Sequence, residues 1–415
     1  MTPVVLLLGT LDTKGTEYAY VRGRLHAMGV GTLVMDLGVL GDPPWTPDIT
    51  AADVADAGGT PLASLRERGD RGAAVDVMQR GACTLVPLLL ADGRIHGVLG
   101  LGGGGGTTMI AAAMRTLPVG VPKLIVSTMA SGNTAPYVDV KDITLMYSVV
   151  DIAGLNPLSR RILANAAGAI AGMVQADVPA SEAPERPLLA ATMFGVTTPC
   201  VTAVRERMER AGYDVLVFHA TGSGGRAMEG LIADGFVQGV LDITTTEWCD
   251  EVVGGVLSAG PDRLSAAART GTPQVVSVGA LDMVNFGAED TIPARFAGRT
   301  LYRHNATVTL MRTSPEECVA IAGRIAEQLN RAAGPTVLVL PLRGVSAIDA
   351  EGQPFHDPAA DRALFDTLRV ALQPHVRLVE VDAHINDAAF ADVLASEMLA
   401  LLDTSAQAND STGDH

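Results

Sequence analysis

Short runs of consecutive apolar residues alternate with amphipathic stretches along the chain. Apolar runs bounded by glycine are typical of strands buried on both faces of a parallel sheet, and amphipathic stretches are typical of the helices that cover it. A segment rich in Pro, Gly and Asp, residues 40–69, is predicted to be a loop. In the first half the predicted strands are residues 3–10, 31–39, 95–102, 122–132 and 143–149, and the predicted helices are 16–29, 71–91 and 107–116.

The second half repeats this order. RIHGVLGLGGG matches GFVQGVLDITT, and PKLIVSTMASG matches PQVVSVGALDM, in the same sequence of elements. Such a repeat predicts an internal duplication, with two tandem Rossmann-like α/β domains built on parallel sheets. Two further strand-like runs and a helix follow. The predicted domains are 1–178, which binds a nucleotide, and 186–403, with a boundary inside 174–187 and a disordered polar tail at 404–415.

The composition of the chain limits which ligands and which cellular location we expect. The chain has 415 residues, a net charge of −16 and a pI near 4.9, so nucleic acid is not expected as a ligand. Its four cysteines form no CxxC pair, which favours a reducing, cytoplasmic location without a zinc finger. No apolar run approaches the roughly 18 residues of a membrane span, so we expect no membrane.

In parallel sheets, ligands bind beyond the carboxyl ends of the strands, so residues directly after each strand are the candidates. The strongest motif is LGLGGGGGTTMI at 99–110, where Gly102–Gly106, Thr107 and Thr108 lie between a strand and a helix. Free backbone N–H groups and the helix dipole favour an anion there, although a glycine turn that binds nothing is the alternative. The motif is not a P-loop, because no Gly-Lys-Ser/Thr follows, and the next strand lacks the acid that holds an NAD ribose.

Two other turns carry polar side chains. The loop at 219–229 offers His219, Ser223, Gly224, Gly225 and Arg226, and its arginine is suited to a substrate carboxylate or phosphate. The first βα turn holds Thr10, Asp12 and Lys14; a lysine can counter a phosphate, and an aspartate can hold a metal or a ribose hydroxyl. Ordinary helix-capping turns are the alternative in both places.

Acids, amides and histidines follow the strands of the second half. Such groups suit acid–base chemistry or a divalent cation, and Arg226 or Arg343 would hold a substrate carboxylate. No HxxxH or HxxH spacing is present, so zinc is not indicated, and a lone histidine is more often a structural hydrogen-bonding group. The predicted catalytic residues are Glu247, His304, His384, Asp282 and Asn285.

Taken together, the motifs resemble one family over roughly residues 3–400. GTLDTKGTEYAYVR, GLGGGGGTT, STMASGN, FHATGSGGRAME, DITTTEW, GALDMVNFG, YRHN, PLRGVSAID and DAHIND are similar to the family built around the N-terminal inhibitory domain of the tomato mosaic virus resistance protein. That resemblance implies paired Rossmann-like domains, homodimerisation and ATP binding by the N-terminal part. The resemblance places the nucleotide around Gly102–Thr108, with Thr10, Asp12, Lys14, Ser127 and Asn133 nearby. Mg²⁺ is an optional further ion that Glu247 could bind.

The sequence is compatible with three functions. The first is an ATP-binding enzyme that acts on a small carboxylated metabolite in a cleft between the domains. The second is a hydrolase or lyase of an organic acid that uses no nucleotide. The third is a non-catalytic binding module that depends on ATP. A homodimer is expected through the first domain or its helix at 158–173, where small residues recur at a spacing that allows helices to approach closely.

Overall fold

The computed structural model describes residues 2–177 and 185–412. The chain forms two compact units, Met1–Ala180 and Ser181–His415, each an α/β structure with a parallel sheet. The predicted fold class, tandem Rossmann-like domains, is confirmed. Residues 178–184 of the predicted boundary segment lie outside the described residues.

The first unit is built on a five-stranded sheet in the order β2-β1-β3-β4-β5, with every pair parallel. Its strands are β1 (Val4–Gly9), β2 (Gly31–Asp36), β3 (Gly97–Gly102), β4 (Lys123–Ser127) and β5 (Thr144–Tyr147), and its helices are α1 (Leu11–Ala27), α2 (Ala51–Ala57), α3 (Leu62–Arg68), α4 (Arg71–Ala91), α5 (Gly104–Arg115), α6 (Ala135–Val138) and α7 (Pro157–Gln175).

Successive side chains of the central strands enter two different cores. Val5 and Leu7 of β1 pack with α1 and α7 on one face, while Leu6 and Leu8 pack with α2, α4 and α5 on the other. All four are fully buried. Alternation along a strand sends neighbours to opposite faces, so an uninterrupted apolar run is what a sheet covered on both sides requires.

The segment predicted as a loop, residues 40–69, contains α2 and α3. Thr50 starts α2 with a reciprocal capping box: its hydroxyl accepts from the Asp53 amide, and the Asp53 carboxylate accepts from the Thr50 amide. Both helices have only seven residues, so their periodicity is too short to read among the surrounding Pro and Gly.

Helix α4 is long and apolar enough to cross a membrane by length and composition, which the sequence argument did not anticipate. Its residues Val77, Met78, Ala82 and Val86 lie in the core of the first unit. Core helices pass the same test, and these buried contacts are those of a core helix.

The second unit repeats the strand order of the first. Counted from its own first strand, the order of its six-stranded sheet is 2-1-3-4-5-6, which agrees with the predicted duplication. Its parallel strands and their helices are β6 (Leu188–Met193), α8 (Thr198–Arg210), β7 (Asp214–His219), α9 (Ser223–Ala233), β8 (Gly239–Thr244), α10 (Glu247–Val253), α11 (Ser265–Thr270), β9 (Gln274–Gly279), α12 (Pro315–Leu329), β13 (Thr336–Pro341), α13 (Pro358–Ala371), β14 (Val376–Val381) and α14 (Ala388–Thr412).

A small antiparallel sheet interrupts this second series and was not predicted. It consists of β10 (Met283–Phe286), β11 (Leu301–Arg303) and β12 (Thr309–Arg312), in the order β10-β12-β11. The final helix also continues to Thr412, past the residue at which the sequence places the start of the tail. Residues 413–415 lie outside the described residues.

Candidate ligand site in the first unit

The strand order of the first unit defines where a ligand crevice forms. From β1 the chain continues to β2 on one side, while β3 lies on the other side of β1. At such a switch point the loops that leave the two central strands diverge and open a crevice at their carboxyl ends. The segments that flank it are Thr10–Thr13, the N-cap and first residues of α1, and Gly103–Gly106, the N-cap and first residues of α5.

The five consecutive glycines divide into two roles. A Cβ on Gly102 would lie 2.5 Å from the Thr107 amide nitrogen, so close packing of the turn requires glycine there. Gly103 is the N-cap of α5, and Gly104–Gly106 form its first turn rather than a loop. Built Cβ atoms on Gly104 and Gly105 meet nothing within 4 Å, so these two glycines leave space open beside the helix start.

The first turn of α5 presents backbone donors without a protein acceptor. Its N-cap is a glycine, and no side chain caps the helix. The amides of a first helical turn have no partner within the helix, and the twelve-residue dipole adds positive potential at that end. This helix start therefore has the properties of an anion site.

A cavity of about 320 Å³ adjoins this helix start. Gly105 lies in its wall together with Thr10, Asp12 and Thr13, and Arg66 and Arg71 also line it. Small-molecule sites have this size and combine an apolar wall with few polar groups. The apolar part of the wall is formed by Leu37, Val39, Leu65, Val75 and Met109.

Two neighbouring aspartates lie near the cavity: Asp12, at the start of α1, is in its wall, and Asp36 ends β2. Asp36 is 1% exposed and accepts the amides of Leu11 and Gly38 on Oδ1 at 2.9 and 2.8 Å. Asp12 accepts the Leu40 amide on Oδ2 at 2.8 Å. The other oxygen of each carboxylate, Oδ2 of Asp36 and Oδ1 of Asp12, is buried without a hydrogen-bond partner. Burial raises the pKa of Asp36, and the nearby Asp12 charge adds to this.

A strap, residues 38–42, lies over these carboxylates and is held by Arg66. The guanidinium donates to the carbonyls of Val39 and Gly41 and pairs with Asp42. Leu40 in the middle of the strap is 83% exposed. The strap is therefore attached through polar bonds at Asp12 and Arg66 and has little buried apolar surface at its tip.

The other nucleotide-site residues predicted in this unit are engaged elsewhere. Lys14 Nζ donates to the Ile152 carbonyl at 2.7 Å, and the exposed Asn133 accepts from the Ala135 amide. The hydroxyls of Thr107 and Ser127 bond to each other at 2.7 Å and tie α5 to the end of β4. Thr108 bonds back to the Gly104 carbonyl. Of the predicted set, Thr10, Asp12 and the glycine turn are thus placed together at the cavity.

The glycine loop of the second unit differs, because the protein supplies its own anion. The Glu247 carboxylate accepts the amides of Gly222 and Gly225 at 2.6 and 3.0 Å, at the start of α9. A Cβ on Gly225 would meet this carboxylate at 2.1 Å, and one on Gly224 would meet the His219 carbonyl at 1.9 Å. Gly222 and Gly225 therefore bind an internal carboxylate rather than a substrate, and Gly224 packs against the His219 backbone, which corrects the substrate-binding role predicted for this turn.

Glu247 also belongs to a buried ion-pair network. Arg263, which is 1% exposed, pairs with Glu247 Oε2 at 2.7 Å, with Asp242 through both terminal nitrogens, and with Glu229 at 3.3 Å. Burial raises the pKa of Glu229, and the surrounding carboxylates raise the pKa of Arg263. Both oxygens of Glu247 are used internally, so the predicted catalytic role is replaced by a structural one.

His384 and Asp282 both bond to Ser346. The Ser346 hydroxyl donates to Asp282 Oδ2 at 2.7 Å, and the Ser346 carbonyl lies 2.8 Å from His384 Nε2. Because His384 Nδ1 accepts the Asn386 amide at 3.1 Å, the ring proton lies on Nε2 and is donated to that carbonyl. Both ring nitrogens of His384 therefore have protein partners, which hold the side chain in place.

The remaining predicted residues of the second unit do not converge on one centre. Asn285 is fully buried and donates to Asp250 Oδ2 at 2.7 Å. His304 is exposed in the turn that links β11 and β12, because the strand before it belongs to the antiparallel sheet. His219 is exposed and its ring lies 5.4 Å from that of Phe194.

The two arginines predicted to bind substrate have protein partners. Arg343 forms a two-point pair with Asp382 at 2.7 Å for both bonds, and both side chains are exposed. Arg226 donates to the Ser258 carbonyl at 3.4 Å, and Ser223 lies exposed at the start of α9. Within residues 2–177 and 185–412, no group of three or more metal-ligand side chains is present.

Sequence reasoning missed Asp36, Arg66 and most of the apolar wall. Asp36 lies inside the strand predicted at 31–39, so the strand-end rule did not select it, whereas the observed strand ends at this residue. Arg66 and Leu65 lay in the segment predicted as a loop, where no pattern marked them.

Both units of the chain match the models of one protein family. Residues 3–179 match the model of the N-terminal domain of an uncharacterised protein family, UPF0261, and residues 186–402 match the model of its C-terminal domain. The chain belongs to the UPF0261 family.

Relatives span the full length of both units. A UPF0261 protein of Clostridium tetani is 52% identical over 97% of this chain and 100% of its own length, and one of Rhizobium meliloti is 51% identical over 94% and 96%. The ToMV resistance protein Tm-1(GCR237) of Solanum lycopersicum is 42% identical over 96% of this chain, which spans 56% of the tomato protein. The resemblance to the tomato protein is thus confirmed, while the activity of this chain is a matter for proposal.

Proposed function

We propose that the first unit binds ATP, with the phosphates on the first-turn amides of α5 and the base against the apolar wall of the adjoining cavity. One observation carries the proposal: an uncapped, glycine-lined helix start borders a cavity of about 320 Å³ at the switch point of the sheet. Thr10, Asp12, Arg66 and Arg71 supply the polar groups, and Mg²⁺ would accompany the phosphates as an optional ion.

A comparison inside the chain supports this choice of unit. The helix start of α9 in the second unit already receives the Glu247 carboxylate, whereas that of α5 has no side-chain cap. An ATP-dependent binding protein accounts for this site without assigned catalytic residues, because Glu247 and His384 are bonded internally and Asp282 and Asn285 are fully buried. We also propose that the protein is cytoplasmic.

The substitution pair Gly104→Val and Gly105→Val is expected to weaken ATP binding at least about 100-fold. The new side chains enter open space, so the fold tolerates them, but they cover the amides that the phosphates need. Isothermal titration calorimetry with ATP on the full chain measures the affinity. Gly23→Val is the matched control, since Gly23 is also a helical glycine with no neighbour within 4 Å. An unchanged affinity in a folded double variant would place the nucleotide elsewhere.

We also propose that the chain forms a homodimer through the first unit. Strand β5 is an edge of its sheet, and the exposed apolar residues Tyr147, Val150 and Leu158 follow or end it, at 43%, 37% and 44% exposure. Edge strands with exposed apolar residues pair readily with another chain, and a second copy is the occupant we propose. Ala167 and Ala171 of the trailing helix are buried in the core of their own unit, so these two small residues are not available to a second copy.

Light scattering at micromolar concentration is expected to give twice the mass of one chain, and Tyr147→Lys with Leu158→Lys is expected to give a monomer. Introduced charges oppose both strand pairing and apolar contact. Leu88→Lys is the control, because Leu88 is equally apolar and exposed but lies on α4. A monomeric wild-type chain would exclude the dimer.

A further inference from the structure

Two carboxylate oxygens beside the proposed nucleotide site have no donor. Asp36 Oδ2 and Asp12 Oδ1 are buried and unpartnered, while the second oxygen of each carboxylate is bonded to backbone amides. The two carboxylates are neighbours, since a Cβ on Gly38 would lie 2.5 Å from Asp12 Cγ and the Gly38 amide donates to Asp36. A buried acceptor without a donor is costly, so this pair is suited to a ligand that brings donors.

We infer that Asp36, together with Asp12, accepts the ribose hydroxyl groups of the bound nucleotide and makes the first unit selective for ribonucleotides over 2′-deoxynucleotides. This inference rests on the proposed nucleotide function. A ribose offers two vicinal hydroxyl donors, and the pair offers two free acceptor oxygens. Charge-assisted bonds of this kind are stronger than neutral ones, so loss of one hydroxyl should change affinity measurably.

The order of the strands places the acids where a ribose would lie. The glycine turn follows β3, Asp12 follows β1 and Asp36 ends β2, and these three strands are neighbours in the sheet. Neighbouring strands are about 4.8 Å apart, so the ends of β3 and β2 are separated by about 10 Å. A nucleotide with its phosphates on the glycine turn spans such a distance toward its sugar.

A ligand that binds Asp36 has to pass the strap, residues 38–42. Asp36 lines a second cavity of about 560 Å³ that also contains Asp42 and Trp45, and Arg66 borders both this cavity and the first one. Asp12 lies in the wall of the first cavity, whereas Asp36 lines the second. A ligand in the first cavity reaches Asp36 when the strap moves, and the strap is held mainly by the Arg66 and Asp12 bonds.

A bound cation is less well matched to these oxygens. Among the described residues, no third His, Cys, Asp or Glu completes a metal-ligand group here. Asp36 Oδ1 already accepts two amides, which leaves one oxygen for any ion. Cations such as Mg²⁺ prefer six oxygen ligands, whereas a hydroxyl needs a single acceptor. The sugar is thus the better occupant, and the cation is an outcome that the test must separate.

The test compares ATP with 2′-deoxyATP and 3′-deoxyATP by calorimetry on the full chain, in EDTA and in Mg²⁺. The wild-type chain is expected to bind ATP at least about 10-fold more tightly than 2′-deoxyATP, the usual effect of one hydrogen bond to a charged group. Asp36→Asn keeps an oxygen for the Leu11 and Gly38 amides but replaces the free acceptor with a donor. Its ratio of the two affinities should fall toward 1, mainly through weaker ATP binding.

Asp76→Asn, an exposed acid on α4, is the charge-matched control and should leave the ratio unchanged. If Asp36→Asn does not fold, Asp12→Asn provides the same reading through the 3′-deoxy comparison. Equal wild-type affinity for ATP and both deoxy analogues would overturn the inference and leave the nucleotide proposal standing. A loss that appears only in Mg²⁺, with an unchanged ratio, would assign the acids to a cation. Failure of every nucleotide to bind would overturn the proposed function itself.

Discussion

Glu247→Ala is expected to lower the free energy of unfolding of the second unit by about 3–5 kcal/mol, the usual cost of removing one partner from a buried ion pair. The substitution leaves the Gly222 and Gly225 amides without their acceptor and removes one of the three carboxylates around Arg263. Buried donors without acceptors add their own desolvation cost. Urea unfolding measures the change.

Two variants separate this role from others. Glu247→Gln keeps an acceptor for the two amides and is expected to cost less than half as much. Glu327→Ala removes an exposed acid that pairs with Arg324 and Arg331, and it should change the free energy of unfolding by less than about 1 kcal/mol. A Glu247→Ala chain as stable as the wild type would contradict the structural role.

The same vacancy offers a positive test. Glu247→Ala opens an anion site at the start of α9, and acetate or formate can enter where the carboxylate was. Either ion at high concentration should raise the melting temperature of Glu247→Ala more than that of the wild type. Chloride at equal ionic strength provides the control, since screening alone acts on both chains.

The sequence predicted most of the fold because its strands carry a direct signal. The apolar runs within residues 3–10 and 336–344 need a sheet that is covered on both faces, and the structure has strands at Val4–Gly9 and Thr336–Pro341. The antiparallel strands β10, β11 and β12 have only three or four residues, so their pattern is too short to distinguish from a loop. Because these strands were not predicted, His304 was wrongly expected to lie beside the other candidate residues at one end of the parallel sheet.

Only part of the candidate site could be predicted from the sequence, for a related reason. The strand-end rule located the glycine turn, Asp12 and Glu247, because position along a strand is a local property. It could not say which partner a side chain meets. Arg263, which pairs with Glu247, lies 16 positions along the chain in an irregular segment between α10 and α11. Glu247 therefore looked like a free acid, although the tertiary structure makes it a buried helix cap.

The free energy of unfolding of the second unit is expected to fall as the pH rises from about 5 to 8, because several of its buried carboxyl groups have a raised pKa. Burial raises the pKa of Asp282, Asp361 and Asp250 to about 7 in each case. Asp282 and Asp361 share one guanidinium, that of Arg312, with Asp349, and the charge of Asp349 raises both pKa values further.

The sign follows from proton linkage. An unfolded aspartate releases its proton near pH 4, so between pH 4 and 7 the folded chain binds more protons than the unfolded chain. The stabilisation is fully present below pH 4 and is lost as the pH rises through about 7. Carboxyl groups with a lowered pKa, such as Asp142 beside Lys123, act in the opposite direction, but only at a pH below their ordinary value.

Asp282→Asn is expected to reverse part of this loss, since an amide has the shape of the neutral acid and carries no charge at any pH. The variant should be as stable as the wild type at pH 5 and more stable at pH 8. The chain has two tryptophans, so Trp45→Phe leaves Trp248, which is buried in the second unit, as the fluorescence reporter of urea unfolding. Asp142→Asn, in the first unit, should leave this pH dependence unchanged. A wild-type second unit whose free energy of unfolding stays level or rises from pH 5 to 8 would show that Asp282, Asp361 and Asp250 are ionised in the folded chain, with Arg312 balancing more charge than their burial allows.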